Sequence, residues 1–123
     1  MEDRGYLRKR AAAFSYAFKG VYRLIRHEAH ALIHLIAAAC VVAAGFVWKI
    51  SAIEWCMVII CIGMVFSAEG FNTAIEKLAD RISLQHSPLI GAAKDIAAGA
   101  VLFTAIASLI VGLIIFLPKI FHS

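Results

Sequence analysis

Charged residues, proline and cysteine are all scarce in this sequence. Of its 123 residues only 16% are charged, two are proline and three are cysteine, whereas 63% are hydrophobic. Soluble domains average roughly 45–50% apolar and about 25% charged residues. A small soluble domain keeps a large share of its surface in water and could not bury so much apolar side chain. The composition therefore excludes an ordinary soluble domain and a disordered or low-complexity chain, and it predicts a single membrane domain over residues 1–123.

The cysteines indicate neither a metal site nor a disulfide framework. Cys40, Cys56 and Cys61 are odd in number, lie in apolar runs and form no C-x-x-C motif. We interpret them as small apolar residues in the membrane domain.

The basic residues are concentrated at the N-terminus. The formal net charge is +4, and seven of the 12 lysine and arginine residues precede residue 27. Such a run ahead of apolar segments more often sets membrane topology and contacts anionic lipid than binds nucleic acid. We therefore expect no nucleic-acid partner. The same rule places the N-terminus and the region 71–95 in the cytoplasm, with the loop 49–54 and the C-terminal tail outside.

The apolar runs predict an all-α fold, a bundle of three transmembrane helices plus an N-terminal amphipathic surface helix. About 20 apolar residues cross a bilayer as a helix. Ser51 to Glu54 form a capping-box pattern, and Ser87 before Pro88 is typical of a helix start. The predicted transmembrane helices cover 29–48, 52–82 and 88–117, and the amphipathic helix covers 6–27. The 52–82 helix, about 46 Å long, exceeds the bilayer core, so its second half should project into water.

Polar residues along the second half of the 52–82 helix predict a functional site. Five of them fall within an arc of about 100° on one helical face: Glu69, Asn72, Thr73, Glu76 and Asp80. Ordinary membrane-edge charge is one interpretation, and it suffices for Glu28 taken alone and for Asp80 as a local partner of Arg81. The second is a metal–phosphate site, because neighbouring carboxylates repel each other unless a cation is bound and carboxylates suit Mg²⁺. Lys94 would then contact phosphate oxygens.

The same residues carry a resemblance to a known family. The segment Glu69-Gly-Phe-Asn72-Thr73-Ala74-Ile75-Glu76, followed by Asp80 and by Lys94-Asp95-Ile-Ala-Ala-Gly-Ala-Val101, closely resembles the signature of the prokaryotic diacylglycerol kinases, which include undecaprenol kinases. The resemblance extends from Tyr16 through the third span. No P-loop or protein-kinase motif is present.

The resemblance implies a lipid kinase that uses ATP and Mg²⁺ in the bacterial cytoplasmic (inner) membrane. Family members are homotrimers whose active sites lie between neighbouring subunits and face the cytoplasm. Carried over by position, Glu69 would be the general base near the lipid hydroxyl. Glu28 and Glu76 would hold the Mg²⁺ that bridges the ATP phosphates.

Five further residues match nucleotide- or lipid-contacting positions of the family. Lys94 and Asp95 would contact the nucleotide, and Asn72 would support the site. Lys9 and Tyr16 match positions that approach nucleotide or lipid.

Several positions depart from the family pattern. Lys9 stands where many relatives have arginine, and Ala17 stands where many have serine. Gln85-His86-Ser87 replaces the common E-Y-H run, so we assign no nucleotide contact to this loop. His30 and His34 lie one helical turn apart, a spacing compatible with a metal pair, but we interpret them as polar packing or headgroup contacts.

Two other classes of function compete with a kinase. A small transporter would place acids near the bilayer midplane, yet no acid lies inside the apolar runs 29–48, 55–68 and 96–117. A structural subunit would need no aligned carboxylates beside a Lys-Asp pair. For the acceptor, the Asn72–Ala74 and Lys94–Val101 segments look closer to the undecaprenol kinases, so we expect activity on both lipids with undecaprenol preferred.

Overall fold

The computed structural model describes residues 2–82 and 87–122, so Gln85 and His86 of the unassigned loop lie outside the described residues. Across that part of the chain the fold is all-α, and the predicted fold class is confirmed. The helices are α1 (Glu2–His27), α2 (Ala29–Val47), α3 (Ala52–Ile82) and α4 (Pro88–His122). By length and composition, α2, α3 and α4 can each cross a membrane.

The helix ends follow local chemistry. Glu28 separates α1 from α2 because its backbone is extended, with φ −107° and ψ 121°. The capping box at the start of α3 is confirmed: Ser51 N donates to Glu54 Oε1 at 2.9 Å, and Glu54 N donates to Ser51 Oγ at 3.2 Å.

The turn between α2 and α3 closes tightly. Lys49 adopts the left-handed region with φ 50°, and Ile50 N donates to Gly45 O at 3.1 Å. This is the Schellman arrangement, in which the residue after the turn packs back on the helix. A Cβ on Gly45 would come within 2.7 Å of Trp55, so only glycine allows the two helices to approach this closely.

The fourth helix continues past Pro118 and ends at His122, five residues beyond the predicted end. A proline inside a helix removes one N–H donor and crowds the preceding turn, yet α4 continues beyond it to His122. Lys119 Nζ donates to Ile115 O at 3.3 Å and to Glu54 Oε2 at 2.7 Å. These contacts tie the last turns of α4 to the start of α3. At the other end of the sequence, α1 begins at Glu2 rather than at residue 6.

The apolar core of the single chain is small and lies near Glu54. Ile50, Val58 and Ile115 are buried there, with Trp55 and Phe116 packed around them. Most other large apolar side chains are exposed, for example Phe103 at 79%. The α3–α4 pair forms the most extensive packing, and α2 packs on α3. The exposed apolar faces therefore need lipid or another protein chain to cover them.

Candidate functional site

Two polar side chains are buried among the described residues, and both belong to the predicted stripe on α3. Glu69 is 4% exposed and Asn72 is 8% exposed. They lie where α3 passes from its apolar first half to its polar second half. An ionised carboxylate is costly to remove from water unless a donor or cation compensates it, so a buried Glu69 is a candidate for function.

The Glu69 carboxylate faces α2. Its Oε2 lies 3.5 Å from Nε2 of His34, and the rings of His34 and Phe66 meet edge to face with centroids 6.4 Å apart. His30, one turn earlier on α2, is exposed. The interpretation of His34 as polar packing thus agrees with the structure, with the carboxylate of Glu69 as its partner.

Asn72 links the buried part of the stripe to Glu76. Its Nδ2 donates to Glu76 Oε1 at 3.3 Å. Its Oδ1 is buried and has no hydrogen-bond partner in the described part of the chain. A buried acceptor without a partner is uncommon in folded proteins and points to a group that completes it, such as water or a ligand.

The junction of α1 and α2 lies beside this same region of α3. Glu28 Oε1 lies 3.4 Å from Lys77 Nζ, the residue next to Glu76. The end of α1 also approaches α3, because a Cβ on Gly70 would lie 3.5 Å from a Leu24 methyl group. The extended backbone at Glu28 therefore turns the chain so that its carboxylate meets the polar half of α3.

Lys94 of α4 contacts the polar stripe of α3 through an ion pair between the two helices. Lys94 Nζ donates to Asp80 Oδ1 at 2.9 Å. The interpretation of Asp80 as a local partner of Arg81 is therefore wrong, because the carboxylate binds the lysine across the helix interface. Asp95, the next residue, is exposed.

The carboxylates do not form a ready-made metal centre. Within residues 2–82 and 87–122, no three histidine, cysteine, aspartate or glutamate side chains come close enough to hold a metal ion. A cation at Glu28 or Glu76 would need further oxygen ligands from water or from a substrate. Mg²⁺ commonly binds in this way, through one or two carboxylates plus phosphate and water.

An apolar groove of about 600 Å³ lies between α3 and α4. The residues that line it include Ser67, Asn72, Ala97, Ala100 and Thr104. The small side chains leave this space open where larger ones would fill it. An apolar groove of this kind needs lipid or another protein chain to cover it.

Comparison with known sequences decides the family. The family model for prokaryotic diacylglycerol kinase matches residues 15–116. The chain belongs to the prokaryotic diacylglycerol kinase family. The resemblance carried by the Glu69–Glu76 and Lys94–Val101 segments is thereby confirmed.

Two relatives agree with this assignment. An undecaprenol kinase of Bacillus subtilis is 43% identical over 119 residues, which cover 97% of each chain. A diacylglycerol kinase of Synechocystis sp. is 33% identical over 109 residues, covering 88% of this chain and 62% of the relative. The protein is thus a membrane lipid kinase, and the transporter and structural-subunit interpretations fall away.

The candidate residues of this kinase fall into two groups in the structure. In the first group, Glu69, Asn72 and Glu76 follow one another along α3. Glu28 meets α3 at Lys77 and Lys94 meets it at Asp80, with the exposed Asp95 next to Lys94 in the chain. Every one of these residues lies within the matched range.

The α1 candidates form the second group. Lys9 precedes the matched residues, and Tyr16 is 69% exposed with Lys19 Nζ 5.6 Å from its ring. Neither side chain has a hydrogen bond or ion pair to the first group in the described part of the chain.

Proposed function

We propose that this kinase transfers the γ-phosphate of ATP to the hydroxyl of undecaprenol, giving undecaprenyl phosphate. Diacylglycerol is a second acceptor and gives phosphatidic acid. The observation that carries the proposal is the buried Glu69 carboxylate at the boundary between the apolar and polar halves of α3. The relative named undecaprenol kinase, similar along nearly its whole length, supports the choice of acceptor.

Glu69 is the general base of the proposed reaction. A lipid alcohol keeps its chain in the bilayer and presents its hydroxyl at the membrane surface, where Glu69 lies. The carboxylate accepts the hydroxyl proton as the lipid oxygen bonds to the γ-phosphorus. The bond from that phosphorus to the bridging oxygen breaks, and ADP leaves. Phosphoryl transfer depends mainly on such positioning and on charge neutralisation.

Glu28 and Glu76 are the proposed ligands of Mg²⁺. Their carboxylates are hard oxygen donors of the kind that this ion prefers, and each is half-buried. Among the described residues, Glu28 contacts the nitrogen of Lys77 and Glu76 accepts a hydrogen bond from the Asn72 amide, and a cation can replace either donor. Mg²⁺ held there would neutralise charge on the phosphate oxygens of ATP.

The remaining candidates are proposed to hold the nucleotide. Lys94 contacts phosphate oxygens after exchanging its Asp80 partner, and the exposed Asp95 contacts the nucleotide beside it. Asn72 keeps Glu76 oriented through its amide. Lys9 and Tyr16 on α1 approach the nucleotide or the lipid headgroup from the side of the membrane surface.

We also propose a homotrimer in the cytoplasmic (inner) membrane of a bacterium, with shared active sites facing the cytoplasm. The large exposed apolar faces of α3 and α4 support burial against other subunits as well as lipid. The lysine and arginine residues of α1 support a cytoplasmic N-terminus. The Glu69 site then opens to the compartment that holds ATP.

A competition between the two lipids tests the acceptor. The purified protein receives ATP labelled on its γ-phosphate and mixed micelles with equal amounts of undecaprenol and diacylglycerol. We expect label in both lipids and a kcat/KM that is higher for undecaprenol. A kcat/KM about tenfold higher for diacylglycerol, a difference of about 1.4 kcal/mol in transition-state stabilisation, would overturn the preference. Labelling of neither lipid would refute the proposed reaction.

A further inference from the structure

The buried base has one partner that the proposed reaction leaves without a role. Among the described residues, the ionisable side chain next to the Glu69 carboxylate is His34, whose Nε2 lies 3.5 Å from Oε2. The two residues come from different helices, α2 and α3. The contact therefore depends on how these helices are rotated against each other, and it links the base to α2.

The orientation of the imidazole is set by packing. The His34 ring meets the ring of Phe66 edge to face, at an interplanar angle of 73°. Phe66 lies three residues before Glu69 and so on the same side of α3. The His34 side chain is 21% exposed, and that of Glu69 is 5% exposed. The imidazole is thus held against the same face of α3 as the carboxylate, with Nε2 nearest to Oε2.

A donor at one carboxylate oxygen has a direct consequence for a base. A carboxylate has two oxygens, and the one nearest to Nε2 of His34 is Oε2, so Oε1 remains to accept a proton from a substrate. The contact also restricts rotation of the carboxyl group. In a buried site such restriction matters, because small displacements of a catalytic group lower the rate steeply.

We propose that His34 is a positioning residue that orients the Glu69 carboxylate toward the lipid hydroxyl. The proposal rests on the proposed function, since it needs Glu69 to act as the base. His34 itself touches neither substrate nor the reacting phosphorus. Its effect is on the turnover rate and not on the affinity for ATP.

Three variants test the role. His34→Phe keeps an aromatic edge against Phe66 but removes the nitrogen. His34→Gln keeps a nitrogen donor on a flexible side chain. His30→Phe makes the same aromatic change one turn earlier on α2, at an exposed histidine, and serves as the matched control. His34→Leu replaces His34→Phe if thermal unfolding shows that the phenylalanine variant does not fold.

The expected result is a split between kcat and KM. His34→Phe should lower kcat about 10- to 100-fold and leave the KM for ATP within about twofold, since only the orientation of the base changes. His34→Gln should recover most of that loss, and His30→Phe should stay within about twofold of the unaltered protein.

Three results would overturn the positioning role. The first is an unchanged kcat in His34→Phe. The second is a loss of kcat in His34→Gln as large as that in His34→Phe, and the third is a loss of that size in His30→Phe. If His34 served only for packing, kcat would be unchanged in His34→Phe, because phenylalanine preserves the aromatic contact. If the unaltered protein phosphorylates no lipid, the proposed function fails, and this inference fails with it. Normal turnover by the unaltered protein together with an active His34→Phe variant refutes the inference alone.

Discussion

Replacing Glu69 by glutamine should nearly abolish lipid phosphorylation. Glutamine has almost the same shape as glutamate, and its amide can still face His34, but it cannot accept the proton of the lipid hydroxyl. A positioned general base contributes roughly 10²–10⁴-fold to a rate, so kcat should fall by about that factor. The KM for ATP should stay nearly unchanged, because the lost interaction belongs to the transition state.

Steady-state kinetics with saturating lipid measure this effect. Thermal unfolding of the same preparation checks that the variant is folded, which is expected because removing a buried negative charge relieves a desolvation cost. Retention of most of the parent kcat would show that Glu69 is not the base. A rise in the KM for ATP without a loss of kcat would instead place Glu69 among the nucleotide ligands.

Replacing Glu28 or Glu76 by glutamine should weaken the use of Mg-ATP. Each change removes one anionic oxygen from the proposed Mg²⁺ ligands, and an amide oxygen is a weaker ligand for this hard cation. Removing a group that only hydrogen-bonds to a metal ligand lowers the affinity for the metal about 10- to 100-fold. Removing a ligand itself should therefore raise the Mg²⁺ concentration required for activity at least as much. The Mg²⁺ concentration that gives half-maximal activity is the quantity to measure.

The matched control for this change is Glu54→Gln. Glu54 lies on the same helix as Glu76 but at its other end, where it binds Lys119 at 2.7 Å. This variant should leave the Mg²⁺ requirement unchanged. An unchanged requirement in both Glu28→Gln and Glu76→Gln would remove these residues from the metal site while leaving the role of Glu69 intact.

The transmembrane helices could be predicted because their signals are local. The charge-free runs 29–48 and 96–117 have the length that a bilayer demands. The run 55–68 is shorter, and its helix is indicated by the Ser51–Glu54 pattern, which contains its own two hydrogen bonds. The stripe from Glu69 to Asp80 also follows from helical periodicity alone. The metal–phosphate interpretation of the stripe came from the chemistry of its carboxylates, whereas the role of each residue came from the resemblance, since periodicity does not separate membrane-edge charge from a metal site.

The contacts between helices could not be predicted in the same way. His34 lies in a helix that is apolar on every side, so no periodic pattern indicates which face of α2 meets Glu69. Lys94 and Asp80 are 14 residues apart, and Lys119 and Glu54 are 65 apart, so both pairs depend on how α4 packs against α3. The spacing of residues along the sequence does not show how two packed helices are rotated against each other.

The most direct test of a lipid kinase at this site is the stoichiometry of its products. The purified protein is given ATP and Mg²⁺ in micelles with or without undecaprenol, and ADP and phosphorylated lipid are measured together. We expect one molecule of undecaprenyl phosphate for each ADP. Both products should vanish when either the lipid alcohol or Mg²⁺ is removed. ADP formed at the same rate without a lipid alcohol, or ADP formed with no phosphorylated lipid, would show that the protein is not a lipid kinase acting at this site.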